Sequence, residues 1–256
     1  MGILRHGIQA HGVIPITAGS SPSASYRERV MLTNPIRYYP GWETSGTVAT
    51  ELIAADNGTY ARDVATMTTG AGIGDGHTAP LFDGTNDFVN IYSAALNTAF
   101  SGAAGSVLIW ARVSAAGVWT DGTARTLLGI RADGNNYIRL NKATTNNQLE
   151  WFYVANGTVE SNTSVALSGT LSTFSVGMTW DANAGANGEV VYYLNGASGG
   201  ATDTDLGAWA WALSASECLI GAPATVGGLR WSGYIGPVGI WASALTPTQM
   251  ASVGAI

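Results

Sequence analysis

An alternation of apolar and polar residues beside an acidic turn constrains the fold of this chain more than any other feature. Residues 81–91 read Leu-Phe-Asp-Gly-Thr-Asn-Asp-Phe-Val-Asn-Ile. A period of two is typical of a β-strand with one buried face. Asp83-Gly84 and Asn86-Asp87 favour the positive φ values and short side-chain hydrogen bonds of a tight turn. The segment predicts a strand, a turn and a second strand, with a core made by Phe82, Phe88, Val89 and Ile91.

Much of the remaining chain is a succession of short alternating segments separated by Gly, Asn, Asp and Ser. This texture is typical of an antiparallel β-sandwich. Residues 178–181 and 190–196, joined by a loop through Gly188, predict a hairpin and the turn after it. Further strands are predicted at residues 107–113, 125–130, 137–140, 148–154 and 174–180.

Two short helices are predicted at the ends of this β-rich region. The first begins near Ser25, with residues 26, 29, 30 and 33 at helical spacing, and Pro35 ends it. The second begins at Thr246, because Thr246 and Gln249 form a capping box and Pro247 occupies the first helical position.

Residues 1–22 are rich in Gly, Pro, Ser and Ala and show no period that would fold alone. We predict an extended assembly arm there, which orders against a neighbouring subunit, and one domain at residues 23–256. A sandwich of this size is ordinary for a single domain. The start lacks the apolar run of a secretory signal, and no stretch approaches the roughly 18 apolar residues of a membrane span. We therefore expect neither export by that route nor membrane insertion.

Charged side chains make up 11% of the chain, and Lys142 is the only lysine. The usual share is roughly 25%. The net charge of −6 argues against nucleic-acid binding, which requires clustered cations. The scarcity of charge suits either a subunit packed among neighbours, since the core of an interface is depleted of Lys and Glu, or a compositional habit. Cys218 is the only cysteine, so no disulfide forms within the chain.

Four segments resemble, in the same order, motifs of laminin-G-like domains of the concanavalin A-like superfamily. Residues 82–91 resemble the FDGxxDYVxI signature, residues 26–60 an opening YxxxVL helix with PxxYWxLxExSG and GTY, residues 179–196 TWD and LYVNG, and residues 233–250 GxIDxVRIYNRALSxxEI. The resemblance spans about residues 25–256. It implies an all-β, antiparallel β-sandwich jelly roll similar to those of tailed phages and bacteria.

The resemblance also suggests calcium, because several relatives of this fold bind it through loop aspartates. Calcium requires six to eight oxygen ligands. The candidate ligands are Asp83, Asn86 and Asp87, with Asp56 and Asn57 as further candidates. A metal-free turn explains the same residues, and residues 235–237 read Ile-Gly-Pro where the family often has Ile-Asp.

No catalytic residue is predicted. Retaining glycosidases of this superfamily contain an ExDxxE strand whose two catalytic carboxylates lie about 5 Å apart. This chain contains no such motif. Asp203 and Asp205 lie in a stretch typical of a solvated turn. Residues 196–200 fit G-x-S-x-G, but a helix does not follow and all three histidines precede Ser198. The pattern therefore favours a hairpin turn.

Sugar binding would require exposed aromatic rings with nearby polar partners. Trp110, Trp180 and Trp241 occupy alternating strand positions and are predicted to lie in the core. The candidate ligand-binding residues are the loop tryptophans Trp119, Trp209 and Trp211, which suit either a sugar platform or a protein interface.

Two functions stay open. The first is a non-enzymatic structural or adhesion protein at a virion surface, a component of a phage capsid, tail or fibre that assembles with other subunits, as a homo-oligomer, and attaches to host glycans. The second is a secreted or cell-surface carbohydrate-binding module. A glycan-cleaving enzyme would require a carboxylate pair that the sequence does not offer.

Overall fold

The structure, a computed structural model, describes residues 24–144, 147–164, 166–167, 169–199, 205–224 and 227–255. The predicted arm, residues 1–22, lies outside these ranges, as does Asp203. Across the described residues the chain has three α-helices, α1 (Tyr26–Met31), α2 (Ala94–Ala99) and α3 (Pro247–Gly254). Its sixteen strands are β1 (Arg37–Tyr39), β2 (Val48–Ala49), β3 (Gly58–Tyr60), β4 (Thr69–Ala71), β5 (Thr78–Asp83), β6 (Val89–Asn90), β7 (Ala104–Val113), β8 (Arg125–Asp133), β9 (Asn136–Lys142), β10 (Leu149–Ala155), β11 (Thr158–Thr163), β12 (Phe174–Asp181), β13 (Glu189–Leu194), β14 (Ala197–Ser198), β15 (Leu219–Ile220) and β16 (Ser232–Trp241).

The strands form two antiparallel sheets, which confirms the predicted antiparallel β-sandwich. Sheet 1 has the order β14-β13-β12-β7-β16-β5-β4, with β1 also paired to β16. Sheet 2 has the order β11-β10-β9-β8-β15-β6-β3-β2. The main core lies between the sheets because alternate residues of each strand point inward, as Ile138 and Leu140 do on β9 and Trp151 and Tyr153 on β10.

The two terminal helices cover the outer face of sheet 1. Both predicted capping boxes are present, between Ser25 and Glu28 at α1 and between Thr246 and Gln249 at α3. A second apolar cluster contains Val30 of α1, residues of α3 and the outward side chains of β7, including Trp110. Because α1 and α3 lie on sheet 1, the outer face of sheet 2 is left to strands and loops.

The acidic turn connects the two sheets. Strand β5 before it pairs with β4 and β16 of sheet 1, whereas β6 after it pairs with β3 and β15 of sheet 2. Phe82, Val89 and Ile91 lie in the core as predicted. The expectation for Phe88 was wrong: the alternation that turns Val89 inward turns Phe88 outward, where the Arg230 guanidinium lies 4.6 Å from its ring centre.

The predicted hairpin is formed by β12 and β13. Trp110, Trp180 and Trp241 are buried, as predicted from their strand positions. Within the described ranges, no helix has the length and hydropathy that crossing a membrane requires.

Candidate functional site

The three candidate tryptophans lie in different environments. Trp119 is 0% exposed and belongs to the core, where its ring packs 5.7 Å from that of Phe174. A sugar therefore has no access to it, and the expectation of an exposed Trp119 was wrong. Trp209 is half-buried against Phe100 and Tyr153. Trp211 is 77% exposed.

The loop that carries Trp211 is fixed on both sides of the ring. The Ala210 amide donates to Asn136 Oδ1 at 2.9 Å, and the Leu213 amide donates to Asn97 Oδ1 at 2.7 Å. Trp211 itself has φ of +75°, a left-handed conformation that is costly for a bulky side chain. An exposed tryptophan held in this way presents a large apolar face at little cost in conformational entropy.

The loop packs against the end of β8 and the start of β9, beside a row of outward side chains on sheet 2. The Ser214 amide donates to the Arg131 carbonyl of β8 at 2.8 Å. In the register of the sheet, Phe152 of β10 faces Arg139 of β9, and Arg139 faces Gly129 of β8. The Arg139 guanidinium lies 4.8 Å from the centre of the Phe152 ring and 5.4 Å from that of Tyr137.

A cleft of about 250 Å³ lies on this face. Gly129 has no side chain, and a Cβ atom there would lie 3.3 Å from the Ala222 oxygen and from Pro223 Cα, so the glycine lets the 221–224 segment pass close above the sheet. The cleft therefore has a sheet as its floor and a loop as its wall. It is lined by Gly129, Arg131, Tyr137, Ile138, Arg139 and Pro223.

One wall of the cleft is held by an ion pair. Arg131 Nη1 donates to Glu217 Oε1 at 2.8 Å and its Nε donates to the Asp133 carbonyl at 2.8 Å. Hydrogen bonds from the Asn136 side chain and from the Asn135 amide lower the pKa of Asp133, so this neighbouring carboxyl is ionised at neutral pH.

Sequence reasoning missed Tyr137, Arg139, Phe152 and Asn136. The first three carry a signal, because the predicted strands at 137–140 and 148–154 place them on the face opposite to Ile138 and Trp151. The sequence carries no such signal for Asn136. Its Oδ1 accepts from both the Asn156 and the Ala210 amides, which are distant in the chain.

The predicted calcium residues form a hydrogen-bonded turn with an arginine. Asp83 Oδ1 accepts from the Thr85 amide at 2.7 Å and the Asn86 amide at 3.1 Å. Arg62 lies 2.9 Å from Asp87 Oδ2 and 3.6 Å from Asp83 Oδ2. Partial burial opposes ionisation of Asp83, but the two amides and Arg62 outweigh it and lower its pKa, whereas burial raises the pKa of Asp87.

The further candidates Asp56 and Asn57 are also engaged. Asp56 pairs with Arg37 at 2.7 Å and accepts a hydrogen bond from Ser93, and Asn57 Oδ1 accepts from the Glu51 amide. No cluster of three or more His, Cys, Asp or Glu suited to a metal occurs in the described part of the chain. Calcium at Asp83, Asn86 and Asp87 stays a prediction.

A second cleft, of about 310 Å³, lies on the outer face of sheet 1. Its lining includes Asp181 and Glu189, which face each other across β12 and β13. The clefts on the two sheets therefore differ in charge: the one on sheet 2 is lined by arginines and the one on sheet 1 by carboxylates.

Comparisons with solved structures identify the same fold in several proteins. Domain 4 of AbnA, an extracellular GH43 arabinanase from Geobacillus stearothermophilus, in complex with arabinotriose, has a TM-score of 0.58 at 16% identity over 85% of this chain and 97% of its own. The botulinum neurotoxin serotype G binding domain has a TM-score of 0.61 at 14% identity over 86% of this chain and 50% of its own. Trypanosoma rangeli sialidase in complex with the inhibitor DANA has 0.59 at 12% identity over 94% of this chain and 34% of its own.

No protein-family model and no curated protein sequence matches the chain. The chain spans about half of the toxin binding domain and a third of the sialidase. The protein is thus a β-sandwich domain with the fold of the arabinanase domain and of the matched parts of the other two proteins.

Proposed function

We propose that this protein binds a glycan through the outer face of sheet 2, without cleaving it. The observation that carries the proposal is the rigid, exposed Trp211 at the end of the same strands that form the cleft. Its ring offers an apolar face on which a sugar ring can stack, and the cleft offers polar groups for orientation. The arabinotriose complex of the arabinanase domain lends support to a glycan as the ligand.

Replacement of Trp211 tests this function. Asparagine tolerates the left-handed backbone, so W211N removes the ring without added strain. We expect its affinity for glycans found on an array to fall roughly tenfold, equivalent to about 1.4 kcal/mol of stacking. Calorimetric titration of the wild-type protein and the variant measures the change.

Leu32 provides the matched control. It is 81% exposed and apolar, and it ends α1 on the opposite side of the sandwich. L32N should bind glycans as the wild-type protein does. Arrays in calcium and in EDTA test the calcium hypothesis at the same time. Equal losses in both variants, or no glycan bound by the wild-type protein, would contradict the proposed site.

The proposed setting of this binding is adhesion at a virion surface, with an extracellular module as the alternative. Support comes from the laminin-G-like resemblance to phage domains, from the charged share of 11% and from the composition of residues 1–22. A subunit with few charges can pack against copies of itself without desolvating ions.

Deletion of residues 1–22 tests the assembly role. We expect the shortened protein to keep the thermal unfolding transition of the full chain and to remain monomeric by light scattering, while the full chain assembles. Unchanged assembly of the shortened protein would show that the arm does not act as proposed.

A further inference from the structure

The guanidinium of Arg139 lacks an anionic partner. In the described part of the chain it takes part in no ion pair and no hydrogen bond, and its Nε is buried without an acceptor. Among the described residues, its guanidinium contacts the faces of the Tyr137 and Phe152 rings. Arg131, on the adjacent strand, is by contrast bound to Glu217 and to the Asp133 carbonyl.

The charge of the cleft favours an anion. Its lining contains Arg131 and Arg139 and no carboxylate, although the whole chain carries a net charge of −6. Of the acidic groups nearby, Glu217 is paired with Arg131, and Asp133 accepts hydrogen bonds from the Asn135 amide and the Asn136 side chain. Glu150 lies on β10 two residues before Phe152, without an ion-pair partner among the described residues. Arg139 is therefore the cation that is free to meet a ligand.

The shape of the cation favours a carboxylate. An arginine presents a planar fork that matches the two oxygens of a carboxylate. The Nε of Arg139 is buried, whereas its two Nη atoms are not, so the Nη edge is available for such a pair. The cleft volume of about 250 Å³ lies just below the range of roughly 300–1000 Å³ for small-ligand sites, so it suits one sugar unit of a longer chain.

We propose that this cleft recognises a sugar that carries a carboxylate, such as a uronic or sialic acid, and that Arg139 receives the carboxylate. The inference rests on the proposed glycan-binding function and names its substrate class. Aromatic stacking at Trp211 would supply affinity for the sugar chain, while Arg139 would select the charged unit.

A paired glycan panel tests the proposal. One half carries galacturonate, glucuronate, mannuronate or sialate units, and the other half the same glycans after chemical reduction of the carboxyl to an alcohol. We expect the full-length protein to bind at least one acidic glycan about tenfold more tightly than its reduced form, and to lose part of that preference in high salt. Sulfated dextran separates a requirement for carboxylate from a general attraction to anions.

Variants connect this preference with Arg139. R139Q should bind acidic and reduced glycans equally, and R139K should keep only part of the preference because it lacks the fork. Arg112 is the matched control, since its guanidinium lies 4.4 Å from the ring centre of Tyr234 on sheet 1. R112Q should behave as the wild-type protein does.

The outcomes separate the two proposals. Binding of neutral and acidic glycans with equal affinity, an acidic preference that survives in R139Q, or tighter binding of sulfated dextran would overturn the carboxylate proposal and leave glycan binding in place. Absence of binding to both halves of the panel would contradict both proposals.

Discussion

Replacement of Asp121 by asparagine is expected to lower the free energy of unfolding by about 3 kcal/mol and the melting temperature by roughly 6–12 °C. The chain's only lysine, Lys142, is 0% exposed, and its Nζ donates to Asp121 Oδ1 at 2.8 Å and to the Thr123 carbonyl at 2.7 Å. D121N would leave this buried ammonium without a counter-charge. Thermal unfolding followed by circular dichroism measures the loss.

Removal of the lysine, instead of the aspartate, provides the comparison for this stability loss. In K142M, Asp121 keeps its bonds from Arg125, at 2.6 Å from Nη2 and 3.0 Å from Nε, and methionine fills the space of the lysine stem. We therefore expect K142M to cost less than about 1.5 kcal/mol. A loss of stability in K142M equal to or larger than that in D121N would contradict the expectation that removing the aspartate costs more than removing the buried lysine.

The pH dependence of this pair has a defined sign. Partial burial opposes ionisation of Asp121, but hydrogen bonds from Lys142 and Arg125 outweigh it and lower its pKa. A lowered pKa in the folded state adds stability above the unfolded value of about 4, and this stability is lost as the pH falls through the folded pKa. The melting temperature of D121N should therefore change less than that of the wild-type protein below pH 4.

Replacement of Trp119 by alanine is expected to cost about 3–5 kcal/mol, because it empties a buried volume beside Phe174. It also removes the hydrogen bond of 2.8 Å from the indole Nε1 to the Thr170 carbonyl. Urea unfolding measures the cost.

The exposed Trp211 should respond in the opposite way. W211N is expected to change the free energy of unfolding by no more than about 0.5 kcal/mol, or to raise it, since it relieves a strained backbone. A large loss of stability in W211N, or a small one in the alanine variant of Trp119, would contradict the burial of these two rings.

Local signals in the sequence predicted the two terminal helices and the longer strands of this fold, but not helix α2 or short strands such as β14 and β15. The capping boxes at Ser25 and Thr246 marked where two helices begin. The alternation after the acidic turn indicated a strand and placed Val89 and Ile91 in the core, but it did not exclude Phe88, which faces outward. These signals rest on neighbours within about four residues, so tertiary structure was not needed to recognise them.

The candidate site depended on long-range packing and was predicted only in part. Trp119 and Trp211 both lie in segments with loop-like composition. Trp119 is buried because it packs against Phe174 and bonds to Thr170, which lie about fifty residues later in the chain. The cleft requires the register of β8 with β9 and β10, together with a loop from residues 221–224. Spacing within one strand carries no information on such partners.

Arg29 of α1 joins the first and last elements of the sandwich, since its Nη1 donates to the Ser252 carbonyl at 2.8 Å and to the Ala255 carbonyl at 3.2 Å. Helices α1 and α3 therefore lie beside each other on the outer face of sheet 1, on the side of the sandwich opposite to the cleft. A circular permutant that joins residues 24 and 255 through a short flexible linker should fold. The same arrangement means that a tether at either end would attach to the helix-covered side of the domain and leave the outer face of sheet 2, the proposed glycan-binding face, directed away from the tether.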